Sequence, residues 1–115
     1  MKDDLVYLRH ILDAIALVEA YVRGVSWEDF QESQLVQDGV VRQLGVIGEA
    51  ARRVSRSVQQ THPEIPWSDM VGMRNILIHD YFEVDDKEVW KTVQDDLPTL
   101  KERATDVERE LCEGV

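Results

Sequence analysis

The chain lacks most of what would staple, anchor or metallate a small protein. It has one cysteine, Cys112, so no disulfide forms within the chain and no thiolate cage is available for a metal. That fits a reducing compartment, and a cytoplasmic location is the expectation. No apolar run reaches the roughly 18 residues of a membrane span, so no membrane partner is expected. The opening MKDDLVYLRH is broken by charges of both signs, which reads as no signal peptide. Prolines are few, and Pro63, Pro66 and Pro98 fall where helices stop, start or kink. Cations are outnumbered 13 to 23, giving a formal net charge of −10. Taken alone this argues against a protein that coats nucleic acid, because phosphate binding draws on clustered Lys and Arg.

What is present is helical periodicity over a length of 115 residues, which predicts a single domain spanning 1–115 with its own core. Over 3–23, Leu5, Leu8, Leu12, Ile15 and Val22 recur at spacings of three and four, with Ile11 and Val18 widening the stripe, until Gly24 stops it. SWEDF (26–30) offers Ser26 as a cap with Asp29 three residues on, and reads as a loop or one short turn. A second long helix is expected from about Ser33 to about Gln60, on Val36, Val40, Leu44, Ile47, Ala51, Val54 and Val58. It carries Gly39, Gly45 and Gly48, each costing about 1 kcal/mol against alanine, which predicts close backbone approach within the bundle or at a dimer seam.

THPEIP (61–66) ends that helix, and Pro66 opens a third with Trp67, Met70, Val71, Met73, Ile76, Leu77 and Ile78. YFEVD breaks the third, and Asp85 or Asp86 caps a fourth through about Asp96. Pro98 marks a kink or a new first turn before a last helix on Leu97, Leu100, Ala104, Val107 and Leu111, ending near Cys112. The expected fold class is all-α, an up-and-down bundle of four to five helices.

The charge is unevenly spread. Residues 36–62 sum to +2, from Arg42, Arg52, Arg53 and Arg56 against Asp38 and Glu49, while the segments on either side are acidic. A local basic face therefore survives on an acidic body, and Arg42, Arg52 and Arg53 are candidate RNA contacts. The plainer reading of these arginines is a solvated helix face with surface pairs to Glu49.

The chemistry concentrates in MRNILIHDYFEVD (73–85). Arg74 and His79 are five residues apart, about 140° of rotation and about 7.5 Å of rise on an ideal helix. They do not share a face there, but the long arginine can curl toward the imidazole, and a helix ending near His79 relaxes the geometry. A guanidinium can neutralise charge developing on phosphate oxygens. An imidazole titrating near neutrality can take or give a proton. Asn75 adds a hydrogen-bond donor in support. One Arg-x4-His pair arises readily by chance, and a lone histidine near a helix end is more often structural. No cluster has metal-ligand spacing, and no cofactor is implied.

GMRNILIHDYF (72–82), preceded by GVIGEAARRVS and HPEIPW and followed by DKEVWKTVQDDLPTL, resembles the HepT-like branch of the HEPN superfamily, with several motifs in order over nearly the whole chain. The signature Arg-x4-His-x-Tyr falls on Arg74, His79 and Tyr81. The resemblance implies an all-α, dimerising HEPN-like fold and a ribonuclease toxin of a toxin–antitoxin pair. The homodimer would bring two Arg-x4-His motifs into one cleft that cuts RNA without a metal. It also implies a partner, a minimal nucleotidyltransferase antitoxin that transfers AMP from ATP to Tyr81. The competing expectation is a non-catalytic helical module that docks the nucleotidyltransferase or binds a nucleotide, which the net charge of −10 favours.

For other residues the plain readings stand. Trp67 and Trp90 belong in the core, Trp27 over a helix end, His62 in a loop and His10 on the first helix. Glu83, Asp85, Asp86 and Glu88 read as caps and solvated surface, or as a contact for a basic patch on a partner.

Overall fold

The computed structural model describes residues 2–72 and 85–114. Its regular elements are α1 (Lys2–Val22), α2 (Trp27–Glu32), α3 (Gln34–Arg53), α4 (Arg56–Thr61), a helical stretch α5 over 67–72, α6 (Asp86–Lys91), a π-helical turn (Thr92–Asp96) and α7 (Leu97–Glu113). Among the described residues there is no strand, and the all-α class is as the periodicity predicts.

The stripes read from the sequence are the faces that pack. Leu8, Ile11, Ile15 and Val18 of α1 are fully buried against Val40, Leu44, Ile47 and Ala51 of α3 and Leu97, Leu100, Ala104 and Val107 of α7. Each large apolar side chain withdrawn from water contributes about 1.5–3 kcal/mol. Direction follows from contacts along α1. Asp4 reaches Ser55 beyond the end of α3, whereas Tyr21 lies against Gly39 near its start, so α1 and α3 are antiparallel. Arg9 pairs with Glu108 at 3.3 Å and Glu19 with Lys101 at 3.1 Å, so α7 is antiparallel to α1 as well. The up-and-down arrangement is thus visible in these pairs.

Two local expectations change. SWEDF is not a bare turn but the start of α2: the Ser26 hydroxyl accepts from the Asp29 N–H and Asp29 reaches back to the Ser26 N–H, a complete capping box. Phe30 gives the short helix its anchor. It is fully buried, with Trp90 at 5.0 Å and Trp27 at 6.3 Å between ring centroids, which joins α2 to α6. Gln37 ties the same helix to α3 by donating to the carbonyls of Phe30 and Gln31 at 2.8 and 3.0 Å.

The helix expected over about 33–60 is two helices. Val54 and Ser55 are extended (ψ 137° and 151°), and Ser55 caps α4 through its hydroxyl. Asp4, only 2% exposed, accepts from both the Ser55 N–H and its hydroxyl at 2.7 and 2.9 Å. Gln59 of α4 folds back to donate to the carbonyls of Ala51 and Val54 at 3.2 and 2.9 Å, adding side-chain donors to the C-terminal end of α3. On α3 a close approach falls at Gly39, where a Cβ would lie 3.2 Å from the Tyr21 ring, whereas nothing lies within 4 Å of one at Gly45. Gly24, at φ +72°, supplies the left-handed turn that ends α1.

Asp85 caps α6 by accepting from the Lys87 N–H at 2.9 Å. The chain then runs on helically into α7, widening to a π turn at Thr92–Asp96 where the Leu97 N–H bonds to the Thr92 carbonyl. Pro98 explains the widening. It has no N–H and its ring would strike the carbonyl four residues back in a regular α-helix. Opening the ladder one turn earlier lets the helix bend without ending.

Candidate functional site

Arg74, Asn75, His79 and Tyr81 lie outside the described residues. The structure instead describes both flanks of that stretch and how each is held. On the near side α5 starts after Pro66, with the Met70 N–H bonded to the Pro66 carbonyl at 3.1 Å. Trp67 and Met70 bury into the core, 8% and 7% exposed, and the Trp67 indole N–H donates to the His62 carbonyl at 3.0 Å. On the far side Asp85 caps α6, Val89 is buried in the core, and Trp90, partly buried, packs against Phe30.

The loop that feeds α5 is clasped to α7. His62 Nδ1 meets Glu64 at 3.1 Å and Nε2 meets Glu110 at 3.3 Å, and Arg103 donates to the Glu64 carbonyl at 2.6 Å. The Glu64 carboxyl is held below its ordinary range, first by its own backbone N–H and then by His62. His62 is thus a structural histidine. His10 is exposed and lies edge-on to Tyr7, with centroids 6.1 Å apart. Among the described residues no group of three or more His, Cys, Asp or Glu is placed to hold a metal ion. No helix among them is long and apolar enough to cross a membrane.

The three candidate RNA-binding arginines do not converge. Arg52 and Arg53 both pair with Glu49 at 2.8 Å, and that hydrogen bond raises both guanidinium pKa values. Beyond that shared partner they diverge, since successive helical residues point about 100° apart. Arg52 lines an open groove of about 930 Å³ between α4 and α5, together with Arg56, Gln60, Ser68, Asp69 and Gly72. Arg53 and Arg42 line a separate groove of about 520 Å³ with Tyr7, His10 and Gly45. The first groove ends, among described residues, at Gly72, two positions before Arg74 in the chain. Arg56, read from the sequence as surface, is the residue this groove adds. Nothing in the linear pattern separated it from Arg53.

Sequence comparison places this architecture. "Probable ribonuclease HepT" of Thermococcus cleftensis is 45% identical over 95 residues, covering 83% of this chain and 86% of that protein. A Caldanaerobacter subterraneus protein provisionally named an RNase is 34% identical over 107 residues, covering 93% and 96%. A Methanocaldococcus jannaschii protein, also provisionally named an RNase, is 35% identical over 100 residues, covering 87% and 92%. No solved structure gives a significant match. The similar proteins are thus of a ribonuclease-named class. The family described as Ribonuclease HepT-like matches residues 11–107, and this chain belongs to it. The matched span includes Arg74, His79 and Tyr81.

Proposed function

We propose that the protein is a metal-independent endoribonuclease, the toxin of a toxin–antitoxin pair, which cuts RNA with Arg74 and His79. The observation that carries the reading is the family match over 11–107 with Arg-x4-His-x-Tyr intact inside it. The working unit is a homodimer in which two such motifs share a cleft.

His79 takes the proton of an RNA 2′-hydroxyl, and the oxygen attacks the adjacent phosphorus. Arg74 neutralises the charge gathering on the non-bridging oxygens, and Asn75 adds a donor. The bond to the 5′ oxygen breaks, that oxygen takes a proton, and a 2′,3′-cyclic phosphate is left behind. The imidazole suits both proton transfers because its ordinary pKa is near neutrality.

Tyr81 is the off-switch. A nucleotidyltransferase antitoxin lets the phenol oxygen attack the α-phosphorus of ATP, with pyrophosphate leaving and AMP remaining on the ring. The added phosphate competes for Arg74 and its bulk blocks the strand.

The formal charge of −10 favours a second reading, a docking module for the nucleotidyltransferase that cuts nothing. Incubating the purified protein with single-stranded RNA in EDTA separates the two. The nuclease reading expects cleavage that Arg74→Ala and His79→Ala each abolish. Wild-type protein that cuts no better than these variants leaves the docking module.

A further inference from the structure

We infer that the groove between α4 and α5 is a binding subsite for single-stranded RNA, with Arg56 holding a backbone phosphate and Gln60 and Asp69 reading the nucleotide beside it. The inference rests on the nuclease reading for its ligand, and on the groove alone for its residues.

Several observations converge on it. The groove is open and about 930 Å³ in volume, room enough for a nucleotide with its phosphate. Among the described residues its cations stand on one wall: Arg52 at the end of α3 and Arg56 at the start of α4. They are not equivalent. Arg52 is engaged twice by Glu49, at 2.8 and 3.3 Å, whereas Arg56 is exposed and has no carboxylate partner among the described residues. On a protein of net charge −10, an exposed guanidinium that no described carboxylate pairs is free to take a phosphate.

The opposite wall is acidic, through Asp69, and carries the Ser68 hydroxyl. A phosphate is repelled from that side, and a carboxylate there accepts from base amino groups. The exposed Gln60 amide offers a donor and an acceptor to a base edge, while Gln59 beside it is already committed to the α3 carbonyls. A strand therefore lies with its backbone along α4 and its base toward α5. Among the described residues the lining reaches Gly72, two positions before Arg74, so the subsite and the residues assigned to cleavage are near neighbours in sequence.

The test is the affinity of the full chain carrying His79→Ala for single-stranded RNA, measured over a range of salt, with and without Arg56→Gln. Loss of one phosphate contact should weaken binding about tenfold and reduce the salt slope by about 0.7. Arg56→Lys should restore much of the slope. Arg23→Gln is the control, because Arg23 follows α1 at the end of the bundle away from Ser55, and it should change neither quantity. In the active chain, Arg56→Gln should raise KM with little change in kcat.

Binding and salt slope unchanged in Arg56→Gln, or an equal loss in Arg23→Gln, overturns the subsite even when the wild type cuts RNA. A wild type that binds RNA through Arg56 but never cuts it overturns the nuclease and leaves the subsite standing. No RNA binding by any form overturns both.

Discussion

The Asp4 carboxylate accepts from the backbone N–H and the hydroxyl of Ser55 at 2.7 and 2.9 Å, bridging 51 positions of sequence. The pair closes the corner where α3 gives way to α4, and thereby sets the wall that carries Arg56. Removing the acceptor leaves a part-buried N–H and hydroxyl unpaired. Asp4→Ala should cost about 1–3 kcal/mol in denaturant unfolding. Ser55→Ala should cost about 1 kcal/mol through the lost cap. The double variant should fall short of their sum, since both remove one interaction. Strict additivity would mean that the two side chains do not act together.

The aromatic cluster makes a larger prediction. Phe30 is fully buried beside Trp27 and Trp90. Phe30→Ala should therefore destabilise by about 3–5 kcal/mol. Leu35, 84% exposed, is the contrast. Leu35→Ala should stay within about 0.5 kcal/mol in the same denaturation series.

These two cases also mark what was legible beforehand. The stripes on α1, α3 and α7 could be read because an amphipathic helix needs only its own period. The site motif could be read as a motif, from Arg74, His79 and Tyr81. The break at Ser55 could not, because its cause is Asp4, far away in the chain. The length of α2 was missed although Ser26 and Asp29 announced the cap, because its stability comes from Phe30 meeting Trp90 across the fold. Nor could spacing say that Arg52 and Arg53 face different grooves. That depends on which flank of α3 is covered by α1 and which by α4 and α5.

Acid should loosen the loop that feeds α5. Glu64 is depressed below its usual value of 4.5, so its contribution is present above that value and is lost as pH falls through the lower folded value. Thermal melts should show stability declining below about pH 4.5, with Glu64→Gln showing a shallower decline. Because the carboxyl's own backbone N–H is the largest cause, His62→Ala should keep most of that pH dependence. An identical acid profile for wild type and Glu64→Gln would remove Glu64 from the account.

Adenylylation of Tyr81 predicts a gain of intact mass in AMP-sized steps. Coexpression with a cognate nucleotidyltransferase and ATP should add AMP to the wild-type chain and suppress RNA cutting, while Tyr81→Phe gains no mass and keeps cutting. AMP found on Tyr81→Phe would place the acceptor elsewhere.

The most direct measurement is the chemistry of the ends. Single-stranded RNA cut by the wild type in EDTA should carry 2′,3′-cyclic phosphate and 5′-hydroxyl termini, and His79→Ala should yield neither. Cleavage that stops in EDTA, or that leaves 3′-hydroxyl ends, would contradict a reaction in which Arg74 and His79 alone activate the 2′-hydroxyl.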